Sequence, residues 1–322
     1  MDYHNDLYSK IAQIEKRGDM FDIIGDIHGQ ATKLKQLLIK LGYKKTDQGF
    51  THNEYKVIFV GDFIDRGPHQ LETLAIIKEM IDNQNAYAVM GNHEFNAIGW
   101  MTPSAQHPDT FLRKHNAIHH KQHKIFLEQL GHNEALHQYW IEWFKSLPLF
   151  LDLAHIRVIH ACWDNQCIDR ILPYLDERHC LKAQYIEQAF DPTCELFEYC
   201  ETLLKGKEIT LPDGVYYQDK EGTTRHRSRI KWWLKRADTL RKLCMIPDAE
   251  CIKGLEQKID INLELYQDKK PVFFGHYWFS GKPAILTPKM VCVDYSAALD
   301  SGKLVAYRYQ GESQLINQHF IY

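Results

Sequence analysis

Three short segments hold the residues best suited to chemistry: Gly25-Asp26-Ile27-His28-Gly29, Gly61-Asp62-Phe63-Ile64-Asp65-Arg66-Gly67 and Gly91-Asn92-His93-Glu94. Together they offer carboxylate, imidazole and amide donors and no thiolate. Hard oxygen ligands mixed with imidazole nitrogen suit manganese, iron or zinc. A carboxylate shared between two such ions holds them roughly 3.5–4 Å apart, and Asp62 is the choice for that bridge. The chemistry expected of such a set is two-metal hydrolysis of a phosphoester.

Strands must deliver these groups. Phe21-Asp22-Ile23-Ile24, Val57-Ile58-Phe59-Val60 and Ala86-Tyr87-Ala88-Val89-Met90 are short, largely apolar runs that read as buried parallel strands, each ending where a polar segment begins. Ligands of an open α/β sheet bind at the carboxyl ends of its strands. Asp62 lies 36 residues after Asp26 and Asn92 lies 30 after Asp62, each about the length of one βαβ unit. Between the segments, apolar residues at 31, 34, 37, 38 and 41 predict a helix over Gln30–Leu41 stopped by Gly42, and Pro68–Ile81 reads as a second crossover helix. Residues 100–121 look loop-like. His123–Lys145 reads as one or two helices, and strands resume at Leu149–Leu153 and Arg157–Ile159.

The order GDxHG, GDxxDRG, GNHE resembles the calcineurin-like metallophosphoesterases, in particular the phosphoprotein phosphatase type whose second motif carries Asp-Arg-Gly. Ile159-His160-Ala161 and Gly275-His276, each after a strand-like run, extend the resemblance. It implies an α/β fold with a two-sheet β-sandwich flanked by helices and a helical insertion or cap. It also implies that Asp26, His28 and Asp62 hold one divalent ion while Asp62, Asn92, His160 and His276 hold the second. Manganese is the metal expected, with iron or zinc as alternatives. His93 looks like the general acid, Asp65 its carboxylate partner, and Arg66, with Asn92, a phosphate contact. The implied reaction is direct attack on phosphorus by a hydroxide bridging the two metals. After His160 the chain continues Ala161-Cys162-Trp163-Asp164, where the eukaryotic phosphatases have Gly-Gly, a departure that leaves the metal ligands intact and weakens the analogy to their substrates.

A second cation is expected opposite Arg66. The basic stretch Thr224-Arg225-His226-Arg227-Ser228-Arg229 supplies Arg229 or Arg227, and 3.6-residue spacing of Ile230, Trp233, Leu234, Ala237, Leu240 and Cys244 predicts an amphipathic helix over Arg229–Cys244. Both lie in the 116 residues between His160 and His276, which read as a mainly helical insertion over about 165–265 in a domain spanning 20–322. Residues 1–19 read as a helical extension. Ala284–Thr287, Met290–Asp294 and Leu304–Tyr309 read as a meander forming the second sheet, with Asp294 either a partner of His276 or a turn residue. Glu94 reads as a capping or supporting group. His115, His119, His120 and His123 read as a solvated face, since no Glu follows His119 as a metal-binding H-E-x-x-H would need.

Composition sets the outer limits. Net charge of −3 argues against a protein built as a whole to coat nucleic acid, although a local basic patch remains compatible with it. Eight cysteines form no C-x-x-C pair, so neither a zinc knuckle nor a disulfide framework is signalled. Met1–Lys10 has no signal-peptide character, and Asp152, His155 and Arg157 interrupt the most apolar region, Leu147–Trp163. A cytoplasmic enzyme off the membrane is expected. Its substrate reads first as a phosphorylated protein or small phosphate monoester. A dinucleoside polyphosphate such as diadenosine tetraphosphate comes second and a polynucleotide end third. A catalytically silent binding module would have lost a ligand, and none is missing.

Overall fold

The computed structural model describes residues 20–107, 109–218, 224–246, 254–263, 266 and 268–322. The extension over 1–19 lies outside them. Strand β1 (Met20–Ile24) leads to helix α1 (Ala31–Leu41), β2 (Tyr55–Phe59) to α2 (Gln70–Asp82), and β3 (Ala86–Ala88) to α3 (Asn92–Met101). Helix α1 buries Leu34, Leu37, Leu38 and Leu41, and ends where Gly42 adopts φ 95° and returns its N–H to the last carbonyls. Gly131, at φ 59°, separates α4 (Ala117–Leu130) from α5 (Glu134–Lys145), so the long helical stretch is two helices, the first starting within the expected loop. Strands β4 (Phe150–Asp152) and β5 (Arg157–Ile159), helices α6 (Asn165–Ile171) and α7 (Glu195–Lys205), and strands β6 (Val272–Phe274), β7 (Met290–Cys292), β8 (Ala306–Tyr309) and β9 (Phe320–Ile321) follow.

Two sheets result. The first runs β9-β8-β1-β2-β3, with β1, β2 and β3 mutually parallel and β8 antiparallel to β1. The second runs β7-β6-β5-β4, with its first three strands parallel. Period-two alternation divides the apolar residues. Phe21, Ile23 and Ile58 join Val158, Phe273 and Val291 in the core shared by the sheets, while Ile24, Val57 and Phe59 join the helices. Asp22 faces the helix side, fully buried, and meets the Arg308 guanidinium of β8 through two hydrogen bonds of 2.8 Å.

The second half of the chain corrects three expectations. Arg229–Cys244 is not a helix: Arg227–Arg229 pairs with Glu208–Thr210, Arg236–Thr239 pairs with Lys258–Asn262, and only Leu240–Leu243 is helical. The chain turns at Trp232 and Trp233, putting both rings against Phe274 and letting Trp232 Nε1–H donate to the Ala161 carbonyl. Packing of two adjacent tryptophans on one ring overrides the 3.6-residue pattern. Hence the segment 165–265 is helical through Lys205 and then, in its described residues, built mostly of short β-ladders. Finally, Ala284–Thr287 is not a strand, and the meander is shared out: β7 joins the second sheet, but β8 enters the first beside β1.

Candidate metal centre

The parallel strands of both sheets end on one edge. After β1 comes Asp26-Ile27-His28, after β2 the 61–67 loop, after β3 the 91–94 turn, after β5 His160 and after β6 Gly275-His276. Backbone strain concentrates here: His28, Asp62, Asp65, Arg66, His276 and Trp278 all have φ between 48° and 72°. Side chains in this conformation cost energy and persist only where surroundings overdetermine them. Close approach is built in as well. A Cβ on Gly91 would meet Asp62, and one on Gly275 would lie 2.0 Å from Asp26 Oδ1.

Imidazole orientations are fixed by carbonyls, which can only accept. His28 Nδ1–H donates to Ile64 O at 2.8 Å and His160 Nδ1–H to Val60 O at 2.7 Å, so each ring turns Nε2 inward. Two ligand clusters form around Asp62, one with His28 and His93 and the other with His160 and His276. His28 Nε2 lies 3.6 Å from Asp62 Oδ2, and His160 Nε2 lies 3.4 Å from Oδ1. His160 Nε2 also faces the Asn92 amide oxygen at 3.1 Å. Since its Nδ1 already donates, only a proton or a metal ion on Nε2 reconciles that nitrogen with two oxygen acceptors.

Asp26 joins the set from the other side. Its Oδ2 accepts from His276 N–H at 3.0 Å, while Oδ1 is buried with no hydrogen-bond partner, as are His28 Nε2 and both ring nitrogens of His276. Burial, then the like charges of Asp294 and Asp62, push Asp26 well above the usual carboxylate range. Burial pushes His28 down to about 3 and, with the nearby Arg229 cation, lowers His276. Buried acceptors without donors, beside crowded carboxylates, are the donor set a divalent ion completes.

Supporting groups surround this centre. Glu94, at the start of α3, accepts from the N–H groups of Gly91, Asp62 and Phe63 at 2.8–3.0 Å, fixing the loop that carries Asp62. Burial, then the charge of Asp62, raises its carboxyl to about 7. Asp294, buried in a two-residue strand paired with Lys303–Leu304, accepts from Trp278 N–H at 2.7 Å and Ser296 N–H at 2.9 Å and so braces the chain just after His276. His93 places Nε2 3.9 Å from Asp62 Oδ2, while its Nδ1–H donates to Asp65 Oδ2 at 2.5 Å. The Arg66 guanidinium stacks 3.9 Å above the Trp278 ring, which lies 5.7 Å from His28. The two candidate second cations separate. Arg229 is half-buried with an unpartnered Nε and acts electrostatically on His276, whereas exposed Arg227 pairs with Glu208 at 3.4 Å.

Two residues were not legible in the motifs. His123, expected on a solvated face, is buried and donates from Nδ1 to Asp65 Oδ1 at 2.8 Å. Arg113, from the loop after α3, lies within electrostatic reach of Asp65, and burial lowers it to about 10. The helical spacing of His119 and His123 was visible in the sequence, but nothing local marked which helix face turned inward.

A profile of the calcineurin-like phosphoesterase family matches residues 20–181. The bis(5'-nucleosyl)-tetraphosphatase PrpE of Oceanobacillus iheyensis is 31% identical over 153 residues, covering 44% of this chain and 54% of that protein. Its namesake from Bacillus cereus strain Q1 is 44% identical over 149 residues, covering 44% of this chain and 56% of the relative. The chain thus spans about half the length of the curated relatives it matches. A solved protein serine/threonine phosphatase of Saccharomyces cerevisiae aligns with a TM-score of 0.49 at 14% identity, over 95% of this chain and 79% of that one. With the profile running over half of its 322 residues, the chain belongs to the calcineurin-like phosphoesterase family.

Proposed function

We propose that this protein is a metal-dependent phosphoesterase acting on nucleoside polyphosphates, with asymmetrical cleavage of a bis(5'-nucleosyl) tetraphosphate as its main reaction. The observation that carries the hydrolytic reading is the pair of ligand clusters sharing Asp62, with orphaned acceptors on Asp26, His28 and His276. Asp26, His28 and Asp62 would hold one ion, and Asp62, Asn92, His160 and His276 the other. Two divalent ions, when bound, supply Lewis-acid charge for phosphoryl oxygens and a water made nucleophilic at neutral pH. Manganese is the ion we expect, because the donors are oxygen and imidazole with no thiolate.

The remaining roles belong to the chain's own groups. Arg66, stacked on Trp278, and Arg229, with its unpartnered Nε, would offer planar forks of donors to phosphate oxygens. Such donors are fixed before charge develops, which is why they favour the transition state. His93 Nε2, its ring aligned by Asp65, presents a proton to the leaving oxygen.

The relatives' names favour a dinucleoside polyphosphate over the phosphate monoester that leads on sequence grounds alone. A polynucleotide end has weaker support, since Arg227, Arg241 and Lys242 of the basic stretch are paired with Glu208, Glu256 and Asp238. A cytoplasmic setting fits the free thiols among the described residues, all but one of them buried. The test is turnover by manganese-loaded protein on bis(5'-adenosyl) tetraphosphate, phosphopeptides, nitrophenyl phosphate and 5'-phosphorylated oligonucleotide. The tetraphosphate should have the highest kcat/KM and give unequal products. A phosphopeptide exceeding it would restore the monoester reading, and no turnover of any would remove the enzyme reading.

A further inference from the structure

We propose that His123 of α4 is a positioning residue for the proton donor His93, acting through Asp65. The inference rests on the reading of His93 as that donor. Asp65 is buried, and each of its carboxylate oxygens takes one imidazole: Oδ2 from His93 Nδ1–H at 2.5 Å, Oδ1 from His123 Nδ1–H at 2.8 Å. A carboxylate held at one oxygen can rotate about its terminal torsion, which is soft. Held at both, it cannot, and the plane of the His93 ring is fixed with it.

Helix α4 is docked where this constraint is needed. Asp65 sits at φ 69°, and its N–H donates to Gln70 Oε1 at 2.6 Å. The Gln70 N–H in turn donates to the Gln129 side chain at 2.8 Å, six residues beyond His123 on the same helix. The 65–70 loop is therefore clamped to α4 at two points, one on the Asp65 carboxylate itself. His123 also packs its ring against Phe126 and Trp100, at 5.1 and 5.7 Å between centroids, so a purely structural role is the alternative to defeat.

Two substitutions separate donor from packing. His123→Phe keeps the ring and deletes the N–H. His123→Asn loses the ring but places an amide N–H at nearly the reach of Nδ1. Each is compared with wild type and His93→Asn for kcat/KM on an alkyl phosphate and on nitrophenyl phosphate, with metal content and melting temperature checked. The Phe variant should lose about 10–100-fold on the alkyl ester, the scale of one hydrogen bond to a charged group, and much less on the activated ester. The Asn variant should stay within a few-fold of wild type. Nitrogen-15 spectra of the imidazoles give a readout independent of turnover: deleting His123 Nδ1–H should shift the His93 Nδ1–H resonance, and the Asn variant should restore it.

Equal loss on both esters by the Phe variant, or an unmoved His93 resonance, overturns the inference. So does a larger defect in Asn than in Phe, which would make the role one of packing. If His93→Asn itself shows no leaving-group selectivity, the donor assignment fails and this inference with it. Selectivity in His93→Asn without any in His123→Phe overturns the present inference alone.

Discussion

At the scale of single residues, Asp62 has the most demands on it. It sits in a left-handed backbone conformation at φ 53°, accepts from His93 N–H at 2.9 Å, and stands between the two imidazole clusters. His160, then His93, holds its carboxyl well below the usual range against the cost of burial. Asp62→Asn keeps the shape and removes the charge shared by both clusters. It should abolish turnover and reduce metal content below one ion per chain while leaving the circular dichroism spectrum unchanged. Two equivalents of metal and undiminished turnover in that variant would end the bridging assignment. The motif residues were readable because ligand chemistry admits few residue types and the strand ends space them regularly. His123, whose partner lies 58 positions away, was not, because helical spacing is indifferent to which face turns inward.

At the scale of elements, two contacts test how the site is held. The Asp22–Arg308 pair ties the central strand β1 to β8, closing the first sheet across 286 residues of sequence. Asp22→Ala leaves a partly buried guanidinium without its carboxylate, a change of the kind that costs roughly 3–5 kcal/mol. The urea midpoint should fall accordingly, and a drop under a quarter of that would show Arg308 finding water instead. Helix α5 offers a pH probe away from the ligands. Burial, then the neighbouring His123, pushes His137 down to about 4. Its folded value lies below the unfolded one, so its neutral form favours folding above pH 6.5, and that contribution is lost as pH falls toward 4. His137→Phe lacks this liability, so the variant should gain stability on wild type across that window and not above it. A gap independent of pH would refute the assignment. Sequence periodicity served well for α1 and α2, whose apolar stripes face a sheet. It failed at 229–244, where two tryptophans on one phenylalanine needed a turn rather than a helix face.

At the scale of the whole molecule, the centre is also a seam. Gly275 N–H donates to the His160 carbonyl, His160 to Val60 O, and Val60 N–H to Ile24 O, so the site stitches the two sheets together at their carboxyl ends. Asp26, Asp62, Glu94 and Asp294 are all buried at that seam. Among the described residues no helix is long and apolar enough to cross a membrane. Carboxylates crowded together repel one another, and a bound divalent ion offsets the repulsion. Stripping metal should therefore loosen the sheets' junction and not merely stop turnover. At a metal concentration about 100 times Kd, linkage gives the folded state about 2.7 kcal/mol, several degrees of melting temperature for a domain of this size. Wild-type protein dialysed against chelator should melt lower by that order and recover on adding Mn²⁺, while Asp62→Asn should respond much less. Superimposable melting curves for wild type with and without chelator, each verified by elemental analysis, would mean that no metal is coupled to this fold. The buried acceptors of Asp26, His28 and His276 would then need a different partner.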